Sequence, residues 1–585
     1  QDNKNTYSMD NFSFEWKIIP ELKFTTRVGY DINYQKGDNY SSILSWDNQT
    51  VVQGPSKLQV STSDNKNLTF DSYFDYEKTF HSHHYLHLLG GFSHIKNDYE
   101  SLAAYRENSP STQLYVLNAF GSTNQTNSGT ASETKLNSFF GRVNYRFDDK
   151  YLLEGNLRDD GSSRFSKATR FGLFPSLSAA WIISKEDFFN VSWIENLKVR
   201  SSYGTLGNQQ IGNYPYQKTL NLNQPYPFGQ VEQLSPGIAL TTLPFENITW
   251  ETVTAFDQGL DVDLLKGKIS LSIDYYDRRT SNILQSMTVS SVLGMNVSAQ
   301  NAGKVQNKGW DFQLSYKGTI KNFTFNIQPN FSINNNEVIS LGGVTKDISR
   351  GLFVGKPIGS IYGYESDGLF VNQQDIDKSP TQNYIATPGM IKYKDISGPA
   401  GVPDGMVSAD YDRTVIGNTN PKYSYGISIQ SSYKGFDFFL QMQGLAGYQR
   451  QLTGIQLALF NNGNIQQWQV DNRWTDQNPN PNAKYPKLIP LSSSPEPPFG
   501  DVSTYWLRDA GFLRMKTIQL GYTLPSGLFN HIFLKQVRIY ISGQNLFTLD
   551  KYYPGWDPEM TTGGYANSSY YSPTRLWTAG VNVNF

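Results

Sequence analysis

Residues 22–34 read LKFTTRVGYDINY, and apolar and polar side chains alternate along this stretch. The even positions carry mostly apolar or aromatic side chains, namely Leu22, Phe24, Thr26, Val28, Tyr30, Ile32 and Tyr34. The odd positions carry charged, polar or small residues, namely Lys23, Thr25, Arg27, Gly29, Asp31 and Asn33. Successive side chains of a β-strand point to opposite faces, so one face of this stretch suits hydrocarbon and the other suits water. The pattern predicts a strand that crosses a bilayer.

The same alternation recurs along the chain and predicts about seventeen strands. They lie near residues 12–19, 21–34, 67–80, 83–96, 135–147, 150–159, 171–183, 196–205, 253–264, 268–278, 303–316, 321–333, 421–433, 435–447, 511–523, 535–547 and 573–585. Several of these strands are long, as a bilayer crossing requires and as strands of soluble sheets seldom are. The predicted fold is all-β, a large antiparallel transmembrane β-barrel.

The predicted connections alternate between short polar turns and long loops. The longest loops, near residues 334–420 and 448–510, are rich in Gly, Asn and Pro. Short turns on one rim and long loops on the other are typical of outer-membrane barrels, with the turns in the periplasm and the loops outside. A soluble propeller or an array of sandwiches is the structural alternative, because their strands also alternate.

The composition agrees with a membrane barrel and excludes several other classes. Of 585 residues, 14% are aromatic and only 17% are charged, against about 25% charged residues in an ordinary soluble domain. A formal net charge of −1 argues against nucleic-acid binding, and the lack of Cys excludes disulfides, thiolate metal sites and cysteine nucleophiles. The mean hydropathy of −0.49, without a long apolar run, excludes a bundle of transmembrane helices.

The two ends of the sequence lead to a further expectation. The last predicted strand, RLWTAGVNVNF (575–585), ends on Phe585, which resembles the terminal aromatic signal that the outer-membrane insertion machinery recognises. Bacterial barrels have an even number of strands with both ends in the periplasm. Counting back from Phe585, we expect an odd number of strands to precede Gln1, and no signal peptide opens the sequence. We therefore expect this chain to be part of a longer protein.

Six stretches resemble segments of the SusC/RagA family of TonB-dependent transporters, and they follow the family's order over nearly the whole chain. They are SFFGRVNYRFDDKYLLEGNLRDDGSSRF (138–165), FGLFPSLSAAWIISKEDF (171–188), KPIGSIYGYESDGLF (356–370), DRTVIGNTNPKYSYG (412–426), WLRDAGFLRMKTIQLGYTLP (506–525) and GQNLFTLDKYYPGWDPE (543–559). The resemblance implies a 22-stranded barrel with an N-terminal plug. Residues 1–585 would then form the barrel domain without the plug and without the first five strands.

The resemblance also implies a function and partners. Outer-membrane import of oligosaccharides or peptides is implied, with a SusD-like lipoprotein as a lid over the barrel and the TonB complex pulling on the missing plug. The implied assembly includes outer-membrane lipid around the barrel and is compatible with a dimer of SusC–SusD pairs. A lid-independent siderophore or vitamin receptor is the alternative within transport, and a structural or adhesive barrel component of a surface complex is the alternative outside it.

Aromatic residues of the long loops are the candidate substrate-binding residues, because aromatic faces stack on sugars or line peptide grooves. They are Tyr214, Tyr216, Trp468, Trp474, Tyr505, Trp506 and Trp556. The sequence predicts no catalytic residue, no metal site and no cofactor, since it contains no phosphate loop, nucleophile elbow or zinc-protease motif. The histidines of HSHHYLH (81–87) and the acids of 393–413 are interpreted as polar residues of a turn and a loop. A metal site is the alternative, since His81, His83 and His87 share one face of a strand.

One stretch contradicts simple alternation. In FLRMKTIQLGYTLP (512–525), Arg514 and Lys516 share parity with Ile518 and Leu520. If the strand is regular, two basic side chains lie on the lipid face. A position near the rim, where long basic side chains reach the headgroups, would reconcile this with a lipid face. The sequence leaves the face of these two residues open.

Overall fold

The computed structural model describes residues 2–45, 51–109, 114–222, 224–229, 233–285, 292, 294–457, 465–488, 499–529, 534–559 and 573–585. Eighteen strands of the described residues belong to one large sheet. They are β1 (Asp2–Ile19), β2 (Leu22–Ser41), β3 (Lys57–Phe80), β4 (His84–Glu107), β5 (Thr126–Phe147), β6 (Tyr151–Ser162), β7 (Phe171–Ile182), β8 (Ile194–Asn208), β9 (Glu251–Leu264), β10 (Ile269–Gln285), β11 (Gln300–Ile320), β12 (Phe323–Leu341), β13 (Tyr423–Tyr433), β14 (Phe436–Ala446), β15 (Phe512–Thr523), β16 (Gln536–Gln544), β17 (Thr548–Asp550) and β18 (Leu576–Asn584). The all-β prediction is confirmed, and each predicted strand has a counterpart. Strand β17 continues β16 after an interruption, and β15 pairs with both.

Where the structure describes the loops, their elements are short. The helices are α1 (Gln373–Lys378) and α2 (Gln467–Asn472), with 3-10 turns at Leu117–Ala119, Ile183–Lys185, Ile348–Arg350, Gly454–Gln456 and Ser526–Phe529. The short strands are Leu44–Ser45, Val51–Gln53, Tyr226–Phe228, Gln233–Ser235, Thr242–Leu243, Asn296–Val297, Lys346–Asp347, Leu352–Phe353, Ser360–Tyr364, Ser366–Leu369, Ile391–Tyr393, Arg413–Asn418, Gln449–Gln451 and Leu507–Asp509. Across the described ranges, every helix is too short or too polar to span a membrane.

The first of two compact units consists of residues 1–185, 200–256 and 280–302. Its strands β1 to β7 pair antiparallel in chain order. One row of neighbours crosses all seven strands, namely Trp16, Phe24, Phe74, Gly90, Gly141, Leu157 and Pro175. On the same face Phe12 is 66% exposed, Phe139 55% and Leu177 61%. An exposed apolar band that continues over seven strands is suited to contact with lipid.

Strands β3, β4 and β5 run well past this apolar band. We call residues 57–67, 96–107 and 126–135 the distal extension; the sequence prediction left most of it out. Ion pairs lie on its outward face, with Lys66 Nζ 2.6 Å from Asp64 and Lys96 Nζ 2.9 Å from Glu133. The predicted boundaries were wrong here because apolar alternation stops where strands leave the lipid, whereas the backbone ladder continues.

Tight turns join neighbouring strands in each of the two compact units. Two successive left-handed residues form the turn between β5 and β6, with φ of 51° at Asp148 and 53° at Asp149. Lys434 and Gly435 do the same between β13 and β14, with φ of 48° and 88°. Such turns match the twist of antiparallel strands. They confirm the predicted short connections and, by the rule for outer-membrane barrels, mark the periplasmic rim.

The second unit consists of residues 186–199, 257–279 and 303–585. Strands β11 to β16 pair antiparallel in chain order, and β16 pairs with β18. Parts of the two longest loops fold into one buried cluster, which we call the loop core. Its buried residues are Tyr364, Leu369, Ile391, Tyr393, Val407, Tyr448, Leu452, Leu457, Trp468, Trp474, Ala483, Tyr485, Phe499, Trp506, Ala510 and Tyr552.

A β-bulge in β15 resolves the contradiction in parity. Thr517 pairs with Gln441 and Met515 pairs with Met442, so Lys516 is an extra residue without a partner in β14. One extra residue reverses the side-chain parity along the strand. Arg514 therefore lies on the face of Thr517 rather than on that of Ile518. The structure thus answers the question that the sequence left open: Arg514 points away from the lipid face, and its side chain is only 3% exposed.

Candidate functional site

Three of the seven candidate aromatic residues, Trp468, Trp474 and Trp506, belong to the loop core, and a fourth, Tyr505, packs against it. Trp468 packs edge-on against Tyr485 with ring centroids 5.4 Å apart, and Tyr485 lies 5.7 Å from Trp506. Tyr505 meets Trp506 edge-to-face at 4.8 Å. Trp474 and Trp506 are 2% and 0% exposed, so these two rings are part of the hydrophobic core. Trp474 and Trp506 therefore hold the loops together and are not placed to contact a ligand.

A cleft opens beside this core, which we call the loop cleft. Its volume is about 500 Å³, within the range of small-molecule sites. It is lined by Ser366, Gly368, Trp468, Asn472, Pro481, Asn482, Ala483, Lys484, Thr504, Tyr505, Arg508, Lys551, Tyr553 and Pro554. Trp468 and Tyr505 thus line the cleft, as a ligand-contacting role requires.

Hydrogen bonds fix the two aromatic rings of the loop cleft. Tyr505 Oη donates to the carbonyl of Ala483 at 2.7 Å, and Trp468 Nε1 donates to Gln466 Oε1 at 2.6 Å. Burial raises the pKa of the Tyr505 phenol far above its usual value, so this group stays protonated and keeps its donor role. The polar ends of both rings have protein partners, which orients the rings in advance of binding.

The loop cleft also contains basic side chains that the sequence prediction did not include. Arg508 is half-buried, and its Nη1 donates to the carbonyls of Tyr505 and Leu507, both at 2.9 Å. Burial lowers the pKa of the Arg508 guanidinium, because desolvation disfavours its charge. Lys484 and Lys551 are exposed at the same cleft. Arg508 belongs to the stretch WLRDAGF (506–512), but only the three-dimensional arrangement connects it with Lys484 and Lys551.

The other three candidate aromatic residues do not line the loop cleft. Tyr214 and Tyr216 belong to the first unit, where Tyr214 Oη donates to the carbonyl of Glu133 at 2.5 Å. Tyr216 packs against a small core formed by Phe165, Phe174, Ile248 and Trp250. Trp556 is 43% exposed and lies just after cleft residues Tyr553 and Pro554 in sequence. A ligand role for Tyr214, Tyr216 and Trp556 remains a prediction.

The acids of the 393–413 segment organise their own loop. Asp412 is fully buried and accepts bonds from the backbone N–H groups of Ile396 at 2.8 Å and Ser408 at 2.7 Å. Burial alone raises the pKa of Asp412, but the backbone donors outweigh it and lower the pKa below its usual value. Asp412 is thus a buried structural carboxylate rather than a solvated one.

The histidines of residues 81–87 have separate partners. His84 Nδ1 lies 2.7 Å from Tyr145 Oη, and His87 Nε2 lies 3.3 Å from Asp75. His83 contacts Asp148 in the next turn. Within the described residues, no group of three or more His, Asp or Glu side chains is arranged to hold a metal ion.

Relatives of known name resemble the chain over most of its length. It is 30% identical over 603 residues to TonB-dependent receptor P3 of Formosa agariphila, covering 98% of this chain and 58% of the relative. It is also 30% identical over 478 residues to TonB-dependent receptor SusC of Bacteroides thetaiotaomicron, covering 78% of this chain and 44% of SusC. The chain therefore spans about three-fifths or less of these relatives.

A solved structure shares the fold. The RagAB peptide transporter superposes with a TM-score of 0.83 at 24% identity, covering all of this chain and 62% of the other. This likeness confirms the predicted β-barrel fold, and the relatives place the chain in the outer membrane. The sequence model described as "TonB dependent receptor-like, beta-barrel" matches residues 1–584. The chain belongs to this family of TonB-dependent receptor β-barrels.

Proposed function

We propose that the chain forms the barrel wall and binding rim of a TonB-dependent importer of oligosaccharides or peptides. Its similarity to SusC along 78% of the chain is the observation that carries the proposal. In this proposal residues 1–585 are the barrel domain of a longer protein. A plug occupies the barrel, and the TonB complex pulls on that plug to open a path. The chain itself performs no covalent chemistry.

A SusD-like surface lipoprotein is the proposed partner at the loop rim. The long loops support this assignment, because loops of such length in compact proteins are usually functional. They are folded around the loop core, which gives a lid a fixed surface to close on. The RagAB structure is described as a peptide transporter, which makes peptides one of the two proposed substrate classes. Pairs of such complexes forming a dimer complete the proposed assembly.

Isolation of the native complex tests the proposal. The protein is tagged at its C-terminus in its own organism, extracted from the outer membrane in detergent, and analysed by mass spectrometry. We expect a SusD-type lipoprotein in equal amount, and peptides from a plug region ahead of Gln1. We also expect uptake of the growth substrate to stop when the proton-motive force is dissipated.

Other results would favour other functions. Energy-dependent uptake of an iron complex without a lipoprotein partner would favour a lid-independent receptor for siderophores or vitamins. If neither plug nor lipoprotein is found, and uptake is unaffected by loss of the gene, the import proposal fails. The barrel would then be a structural or adhesive component of a surface complex.

A further inference from the structure

The loop cleft combines three cations with a lack of carboxylates. Arg508, Lys484 and Lys551 line it, and its lining residues include no Asp or Glu. Nearby carboxylates in the sequence are engaged elsewhere: Asp367 pairs with Lys392 at 3.1 Å. Asp509 accepts the backbone N–H of Gly511 at 2.9 Å. The cleft therefore has a local positive charge in a chain whose overall charge is close to zero.

Some partly buried cations of the second unit are paired with acids, whereas Arg450 and Arg473, like Arg508, take part in none of the salt bridges of the described residues. Arg538 contacts Asp437 through two hydrogen bonds, and Lys392 lies 3.4 Å from Asp375. Across the described residues, the salt bridges include none to Arg508, Lys484 or Lys551. Holding a guanidinium away from water without a counter-charge is unfavourable. An anion supplied by a ligand would remove this penalty.

The geometry of Arg508 suits a planar anionic group. Its Nη1 is held by the carbonyls of Tyr505 and Leu507, which fixes the plane of the guanidinium. A guanidinium fixed in this way can present its other N–H groups to a carboxylate. Trp468 and Tyr505 supply apolar faces in the same cleft, and Asn472 and Asn482 supply amides. A ligand that carries an anionic group together with a sugar ring or a peptide backbone could contact the guanidinium, the aromatic faces and the amides at once.

We propose that the loop cleft recognises a carboxylate on the imported ligand, with Arg508 as its main contact. Lys484 and Lys551 increase the local concentration of such ligands and contribute a smaller share of the affinity. The inference rests on the proposed import function, since it specifies the substrate class of that same rim. Acidic sugars and acidic peptides both carry the required group, and the experiment separates these two sources.

The test compares matched probes on the native protein purified in detergent. Trigalacturonic acid is paired with its methyl ester, and hexaglutamate is paired with hexaglutamine, so that within each pair the carboxylates are replaced by uncharged groups on the same scaffold. Binding is followed by Trp fluorescence and calorimetry at low and high salt. We expect the charged member of at least one pair to bind about tenfold more tightly, and high salt to reduce the difference. The pair that shows the preference identifies the source of the anion.

Variants assign the preference to the cleft. Arg508→Gln is expected to abolish it, and Lys484→Gln with Lys551→Gln is expected to reduce it a few-fold. The lysine variants change exposed side chains, so they remain informative if Arg508→Gln fails to fold. Lys268→Gln, an exposed lysine of the tight turn between β9 and β10, removes the same charge from the same unit and should change nothing.

Several results would overturn the inference. It fails if both members of each pair bind equally, if no charged probe binds, or if the cleft variants keep the preference of the unmodified protein. Its failure can be told apart from that of the import proposal. If the lipoprotein, the plug and energy-dependent uptake are found but the protein shows no preference for charged probes, only the inference about the loop cleft is refuted. If the cleft prefers charged probes but the protein imports nothing, only the import proposal is refuted.

Discussion

Arg514 and Asp557 form a buried ion pair, with 2.6 Å between Nη2 and Oδ2, although 43 residues separate them in the chain. Their side chains are 3% and 9% exposed. Glu559 also contacts Arg514 and accepts from Lys516 Nζ at 2.7 Å. The bulge at Lys516 allows both basic residues of β15 to contact Glu559. The pair thus ties the segment 557–559 to a strand of the sheet.

Removal of both acids should destabilise the protein strongly. Asp557→Ala with Glu559→Ala leaves the Arg514 guanidinium buried without a counter-charge, and we expect a loss of about 3–5 kcal/mol in the free energy of unfolding. Urea unfolding in detergent, followed by Trp fluorescence, measures this loss. Adding Arg514→Met to the double variant should recover most of it, because the unpaired charge is then gone.

An exposed ion pair of the same unit provides the control. Lys394 and Glu365 lie 3.2 Å apart with side chains 47% and 40% exposed, so Glu365→Ala should cost less than about 1 kcal/mol. If the triple variant is as unstable as the double variant, the loss does not arise from an unpaired guanidinium.

The membrane-facing assignment predicts a depth-dependent effect of charge. Leu314 lies on the lipid face of β11 and is 37% exposed, six residues from the end of the strand at Ile320. Leu314→Arg should cost about 2–4 kcal/mol in lipid, and Phe325→Arg, two residues from the start of β12, about 0–1 kcal/mol. Gln313→Arg, on the opposite face, should be tolerated. If all three variants are equally stable in vesicles, the assignment of Leu314 to the lipid face and of Gln313 to the opposite face is contradicted.

A buried carboxyl of the loops predicts a dependence of stability on pH. Burial raises the pKa of Asp501, whereas hydrogen bonds from Tyr393 and Asn383 and the charge of Arg413 lower it less strongly. A carboxyl with a raised pKa supports folding below its unfolded pKa of about 4, and this support is lost as the pH rises through the folded value. Asp501→Asn should therefore match the wild type at low pH and be more stable at neutral pH. Thermal unfolding at several pH values measures the difference, and parallel curves would contradict it.

A side chain at Gly435, in the turn between β13 and β14, should destabilise the protein through a steric clash. Gly435 has φ of 88°, and a Cβ there would lie 2.8 Å from the carbonyl oxygen of Thr523. Gly435→Ala should cost about 1–3 kcal/mol. Gly267→Ala is the matched control, since Gly267 has φ of 69° but open space around its Cβ. Both substitutions strain the backbone through φ, but only Gly435→Ala adds a clash. The smaller loss of stability expected for Gly267→Ala therefore measures the strain alone. Equal losses in refolding yield would show that Thr523 does not matter.

The fold was predictable from the sequence because alternation is a local signal. Residues such as Phe24 and Val28 mark the lipid face without any knowledge of their neighbours. The bulge at Lys516 was not predictable, because an insertion in one strand is visible only against the register of its partner. The distal extension was missed because polar residues predominate there on both faces, and isolated apolar residues such as Leu58 and Leu102 do not make an alternating pattern.

The candidate site was predictable only in part. Aromatic residues of the long loops were the candidates, and Trp468 and Tyr505 do line the loop cleft, but their contact with a ligand stays a prediction. Sequence alone could not distinguish them from Trp474 and Trp506, because burial depends on how distant loop segments pack together. The convergence of Arg508, Lys484 and Lys551 required the same packing, so their shared charge was not visible in any single stretch.

The distal extension has a consequence for the cell surface. Paired residues of β3 and β4 continue from Leu68 and Lys96 to Lys57 and Glu107, and at about 3.3 Å per residue this stretch rises tens of ångströms above the hydrocarbon. Antibodies and bacteriophages approach an outer-membrane protein from this side. The surfaces that they recognise would lie on strands paired by backbone hydrogen bonds. The exposed side chains of the distal extension can therefore be substituted under immune or phage selection without loss of the strand pairing.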